Sequence, residues 1–180
     1  DYVGELAYPQ KTMEYLKKIM MKYECYFVRG NKEDYWIDRE YDKSIEWKEG
    51  DSTTGALLYT YSNLNNDDIA FFKSLSHVKI ISFEELPAIA AYHGSHDRKG
   101  KKLKLNTDNS HILFEDTEES IILCGHTHIR NKIVCADRVL LNPGSVGVPL
   151  KSRGISQFLI LSGERGKWEY EFVDLPYDIE

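Results

Sequence analysis

The chain has 180 residues, 42% apolar and 29% charged, proportions that fit a globular protein and exclude a disordered or collagen-like one. This length fits one compact domain spanning residues 1–180. Its 23 Lys and Arg stand against 29 Asp and Glu, a formal net charge of −6, so non-specific binding to nucleic acid or an anionic membrane is not expected.

No apolar run approaches the ~20 residues of a membrane span, and no repeat or linker interrupts the chain. Cys25, Cys124 and Cys135 are odd in number and lack CxxC spacing, which argues against a disulfide framework or thiolate zinc site and for a reducing cytoplasm. Their simplest reading is as small apolar residues of buried strands.

Pro9 opens a segment with apolar residues at Met13, Leu16, Ile19, Met20 and Tyr23, a helical spacing with Pro in the first turn. Cys25-Tyr26-Phe27-Val28, ending at Gly30, reads as a buried strand. Helices are predicted over 53–64 and 66–75, the second opening with Asn66-Asp67-Asp68. Val78 to Ile81 and Ala88 to Ala91, separated by Glu84-Glu85-Leu86-Pro87, read as a strand pair. A short helix is predicted over 107–116, then a buried strand at Ile121-Ile122-Leu123-Cys124. The remainder reads as strands at 132–135, 138–141, 157–162 and 167–173, with turns at Ala136-Asp137 and Gly163–Gly166. Helices alternate with strands early and hairpins dominate late, the pattern of a mixed α/β domain.

Three polar clusters each follow an apolar run: Gly30-Asn31-Lys32-Glu33-Asp34, His93-Gly94-Ser95-His96 and Gly125-His126-Thr127-His128. Ligands gather beyond the carboxyl ends of strands in α/β sheets, so one shared site is expected there. His126 and His128, two apart, can bind one metal, or two adjacent metals if the loop turns between them. Imidazole nitrogens with Asp and Asn oxygens suit Mn, Fe, Zn or Ni better than Ca. His77 and His111 have no such polar company and read as ordinary histidines.

The segments Asp1-Tyr2-Val3-Gly4, Arg29-Gly30-Asn31, His93-Gly94-Ser95, Gly125-His126-Thr127-His128 and Asn142-Pro143-Gly144-Ser145-Val146-Gly147 together resemble the calcineurin-like metallophosphoesterases. They are most similar to the small single-domain bacterial and archaeal phosphodiesterases. The resemblance implies a four-layer α/β/β/α sandwich and a phosphodiesterase with two divalent transition-metal ions, Mn foremost. It also implies that Asp1 bridges the metals, that Asn31, His93 and His126 complete the second site, and that His128 belongs to the first. A phosphate ester would be the substrate, attacked in line by a water or hydroxide between the metals.

Two departures qualify the resemblance. The family's opening Asp-x-His is absent, and the chain starts at Asp1 without an initiator Met. A first β-α unit, on the order of 30 residues, is therefore expected upstream. Lys32 also stands where many relatives carry a His that stabilises charge or protonates the leaving group. Lys32 can stabilise phosphoryl charge but is a poor proton donor. His96 is either the replacement donor or an exposed loop histidine.

The run Arg98-Lys99-Gly100-Lys101-Lys102-Leu103-Lys104 places five basic residues beside His93. It is either a solvated loop or a lure for phosphate. Asn142-Pro143-Gly144-Ser145 is expected to wall the site without a catalytic role. The alternative to an enzyme is a non-catalytic member acting as a protein-binding scaffold, as a retromer coat subunit of this family does.

Overall fold

Pro9, whose ring presets a helical φ, opens helix α1 (Pro9–Lys22) in the computed structural model. The structure describes residues 1–4, 6–52, 54–150 and 154–178. The chain divides into two compact units, Asp1–Ser76 and His77–Glu180.

The first unit is helical, with α2 (Asn31–Tyr41), α3 (Gly55–Ser62) and α4 (Asn66–Ser74) following α1. Met13 and Leu16 give α1 its inward stripe, whereas Met20 and Tyr23 are exposed. The core gathers Val3, Met13, Trp36, Ile69 and Phe72, with Tyr2, Trp47 and Phe71 packed against it. The predicted helix over 53–64 starts at Gly55, and Thr53 lies outside the described residues. Helix α4 is capped by Asn65, whose side chain accepts the Asp68 N–H at 3.0 Å while the Asp68 carboxylate accepts the Asn65 N–H at 3.1 Å. This reciprocal pair satisfies two amides that no helical carbonyl can reach.

The strand expected at 25–28 is not a strand. The Tyr2 phenol donates to the Val28 carbonyl at 2.7 Å and accepts the Val28 N–H at 3.1 Å. A side chain thus takes both backbone groups that a neighbouring strand would have paired.

The second unit carries a five-stranded sheet in the order β1-β2-β3-β5-β4, from β1 (Val78–Phe83), β2 (Leu86–Tyr92), β3 (Ile121–Leu123), β4 (Asn131–Cys135) and β5 (Arg138–Asn142). A two-stranded sheet follows, β6 (Ile155–Glu164) with β7 (Lys167–Pro176). The break expected at Glu84–Pro87 is narrower, because Leu86 and Pro87 already belong to β2 and Glu85 turns at φ 60°. The last turn narrows likewise to Arg165-Gly166, since Gly163 and Glu164 pair with Trp168 and Lys167. The helix foreseen at 107–116 is a 3-10 turn, Ser110–Ile112, running into α5 (Leu113–Asp116).

Strands β2, β3 and β5 are parallel, with Ala91, Leu123 and Leu141 in one row. Their side chains alternate between two buried faces, so their sequences read as continuous apolar runs. Ala90, Tyr92, Ile122, Cys124 and Leu140 pack with Leu113 and Phe114 of α5. Ile89, Ile121 and Leu141 face the other way, against Leu159, Leu161, Trp168, Tyr170 and Phe172 of the β6–β7 hairpin. Parallel strands buried on both sides send their carboxyl ends to one edge. His93, Gly125 and Asn142 sit there.

Candidate metal centre

In the first unit, Asp1 lies against the start of α2. Its Oδ1 accepts the Lys32 N–H at 2.9 Å, one of the amides a helix N-terminus leaves open to an anion. Gly30 permits this approach, because a Cβ there would stand 2.1 Å from the same oxygen. Glu33, fully buried, ties the two segments together. Its carboxylate accepts the Gly30 N–H at 2.8 Å and the Tyr2 N–H at 2.9 Å. The sequence signal for Glu33 was the acidic residue three positions beyond a helix cap. Asn31 opens α2 beside Asp1, Lys32 Nζ sits 5.4 Å from the centroid of the Tyr35 ring, and Asp34 pairs with Arg29 at 3.1 Å.

In the second unit, His93 follows β2 directly and is buried. The Gly125 N–H donates to the His93 carbonyl at 2.9 Å, extending the β2–β3 pairing by one bond beyond the strands. Gly94 then turns at φ 112°, so close to the next loop that a Cβ would lie 3.2 Å from the His126 Cβ. His93 Nε2 and His126 Nδ1 consequently stand 3.3 Å apart.

The 125–128 loop has an uncommon backbone. His126 and His128 both adopt left-handed conformations, at φ 66° and 56°, which residues with a Cβ seldom occupy without compensating contacts. The Thr127 N–H donates to the Gly125 carbonyl at 2.7 Å. Asn142, buried at the end of β5, fixes the shape from outside: its side-chain NH2 donates to the Gly125 carbonyl at 2.7 Å and to Thr127 Oγ1 at 3.1 Å. Its Oδ1 accepts the Gly144 N–H at 3.0 Å, so one side chain joins the two loops.

His96 is buried, at 5% exposure, which corrects its reading as an exposed loop histidine. Ser95 Oγ lies 3.0 Å from His96 Nδ1, and the His77 ring stacks on the His96 ring with centroids 3.9 Å apart. His77 therefore has imidazole company that its sequence neighbours did not announce. His111 is exposed at its ring contact, 3.3 Å from the Asp108 carbonyl.

Burial, followed by the neighbouring positive charges of His93, His128 and His96, lowers the His126 pKa to about 4. At neutral pH its ring is uncharged and keeps a lone pair for a cation. Nitrogens bound to one transition-metal ion at ~2.1 Å are separated by roughly 3 Å. The 3.3 Å between His93 and His126 thus fits a shared ion, with His128 on the same loop.

A family model for the calcineurin-like phosphoesterase superfamily domain matches residues 2–166, while no curated protein matches the chain. A hypothetical protein from Pyrococcus horikoshii is similar over 99% of this chain and 73% of its own, with a TM-score of 0.78 and 17% identity. A metallophosphoesterase from Sphaerobacter thermophilus is similar over 99% and 76%, with a TM-score of 0.73 and 18% identity. Likeness at these identities concerns the fold.

Proposed function

The chain belongs to the calcineurin-like phosphoesterase superfamily and has its mixed α/β fold, and on that premise we propose a metal-dependent phosphoester hydrolase, specifically a phosphodiesterase. Family membership supports the hydrolase, and the 3.3 Å approach of His93 Nε2 to His126 Nδ1 is the observation that carries the metal. The reading takes both units as one domain, because a single family match runs across residue 76. It also takes the protein as cytoplasmic, consistent with three free cysteines. No helix among the described residues is long and apolar enough to cross a membrane.

We propose that His93 and His126 would hold one ion and His128 a second, and that Asn31 and Asp1 would add the oxygen ligands the family pattern calls for. Mn is the first choice and Fe, Ni or Zn the alternatives. Ions held there would supply Lewis acidity and a hydroxide nucleophile near neutral pH for in-line attack on phosphorus. The remaining work falls to side chains. Lys32 stabilises negative charge growing on the phosphoryl oxygens, and His96 offers a ring proton to the leaving oxygen.

Elemental analysis of protein expressed from the full native gene tests the metal. Near two transition-metal ions per chain are expected, and His126→Ala should abolish hydrolysis of bis(p-nitrophenyl) phosphate while leaving the fold intact. Unchanged turnover in that variant would remove His126 from the site. The scaffold reading draws on Lys32 in the position of the relatives' His. It is selected by well under one ion per chain after soaking in Mn.

A further inference from the structure

The basic run after His96 is an ordered hairpin. The Gly100 N–H donates to the Asp97 carbonyl and the Asp97 N–H to the Lys101 carbonyl, both at 3.0 Å. Asp97 Oδ1 collects the Lys99 and Lys101 amides at 2.9 and 2.8 Å, and Gly100 supplies the left-handed φ of 78° that the turn requires. At its base His96 pairs with Lys102, and the Leu103 N–H donates to the Ser95 carbonyl at 2.8 Å. The hairpin is thus clamped to the segment that begins with His93. Three extended residues span at most ~11 Å, so its base lies within that reach of His93.

Its lysines have no ion-pair partner among the described residues. Arg98 is committed to Glu119 at 3.0 Å. Lys99, Lys101, Lys102 and Lys104 are exposed and have no side-chain ion pair or hydrogen bond among the described residues. Three such ammonium groups on a pre-shaped turn, with Lys104 just beyond it, are unexpected in a chain of net charge −6. Lys17, Lys43 and Lys48, by contrast, pair with Asp68, Glu40 and Glu46 at 2.7, 3.6 and 3.3 Å. A bridge of backbone bonds fixes where these groups start, which lowers the ordering cost of binding an anion.

We infer that the 97–102 hairpin is an anion subsite that binds a further phosphate of the substrate, making the substrate a phosphodiester with at least one additional phosphoryl group. This rests on the phosphodiesterase reading and names its substrate class. The overall acidity of the chain opposes a nucleic-acid polymer or a membrane as the partner, and a small polyphosphorylated molecule is the class that remains.

Two measurements separate this inference from the reading beneath it. The first compares hydrolysis of thymidine 3′-(p-nitrophenyl phosphate) with and without a 5′-phosphate. The native protein should prefer the 5′-phosphorylated ester by about 10-fold in kcat/KM, mainly through KM, since roughly 1.4 kcal/mol is tenfold. Lys99→Gln, Lys101→Gln and Lys102→Gln together should erase that preference and leave bis(p-nitrophenyl) phosphate hydrolysis unchanged. The triple Arg variant should retain it.

The second measures binding of inorganic tripolyphosphate to metal-stripped protein by calorimetry. The Gln triple should bind about 10-fold more weakly, and the native affinity should fall as salt rises. Equal substrate preference or equal tripolyphosphate binding in native and Gln-triple proteins overturns the subsite. Lysine-dependent tripolyphosphate binding without hydrolysis of any ester upholds the subsite and removes the phosphodiesterase reading instead.

Discussion

The side-chain NH2 of Asn142 donates to the carbonyl of Gly125 at 2.7 Å, so the end of β5 dictates the shape of the loop that follows β3. The same NH2 reaches Thr127 Oγ1, and the Asn142 Oδ1 holds Gly144. Removing the side chain leaves buried acceptors without donors, at about 1–3 kcal/mol each. Asn142→Ala is therefore expected to lower stability by about 2–3 kcal/mol and metal affinity by about 10-fold or more, as loss of a ligand-orienting group does. Urea unfolding and metal titration check this. An unchanged metal affinity would mean that the 125–128 loop holds its shape unaided.

Glu33 joins the Asp1–Tyr2 segment to the first turn of α2 through two amides. Glu33→Gln replaces one acceptor oxygen by an NH2 that faces an N–H, and hydrogen bonds to a charged group are each worth about 1.5–3 kcal/mol. A loss of about 2–3 kcal/mol is expected in urea unfolding. A midpoint equal to the native value would show that these amides do not need the charge.

His126 gives the metal-free protein a pH dependence. Its folded pKa of about 4 lies below the ordinary 6.5, so between those values the unfolded chain binds the proton that the folded ring refuses. Stability is therefore unaffected by this group above pH 6.5 and declines as pH falls toward 4. Thermal unfolding of metal-stripped His126→Asn should show a shallower decline than the native protein over that window. Parallel curves would assign the acid sensitivity to other groups.

Cys124 is expected to be inert. Burial raises its thiol pKa to about 12 from 9, with the Asn142 hydrogen bond opposing, so almost no thiolate is present at pH 8. Cys135 is exposed and should react with a disulfide reagent within minutes, whereas Cys124 should react only on unfolding. Rapid modification of Cys124 in native protein would mean that the β2–β3–β5 core opens readily. The sign on stability runs opposite to that of His126: the unfolded thiol ionises from about pH 9 while the folded one does not, so stability falls as pH rises past 9.

Replacing Lys32 by His is expected to raise monoester relative to diester hydrolysis, because an imidazole can protonate a poor leaving group where an ammonium cannot. The ratio of p-nitrophenyl phosphate to bis(p-nitrophenyl) phosphate turnover measures it, and a constant ratio detaches position 32 from leaving-group chemistry.

Local periodicity made much of the fold readable. The Pro9 helix, the helices either side of Asn65 and the late hairpins follow from spacing and turn residues that act within a few positions. The segment 25–28 misled because an apolar run reports burial and not pairing; only the distant Tyr2 phenol explains why Val28 has no ladder. In the candidate site, residue types were visible but their supports were not. His77 looked solitary because its stacking partner lies 19 positions on, and Asn142 looked like turn punctuation because its acceptors belong to another loop. Nor does any short-range rule assign left-handed backbone to two histidines in alternate positions.

That pair of backbone conformations has an evolutionary side. Gly, Asn and Asp enter the left-handed region more cheaply than His does, so positions 126 and 128 place folding and chemistry in opposition. A library randomised at both codons and sorted only for foldedness should fill with Gly, Asn and Asp. The same library sorted for metal retention should return His. The distance between the two enriched populations measures how much conformational ease the lineage has forgone to keep two imidazoles on one loop.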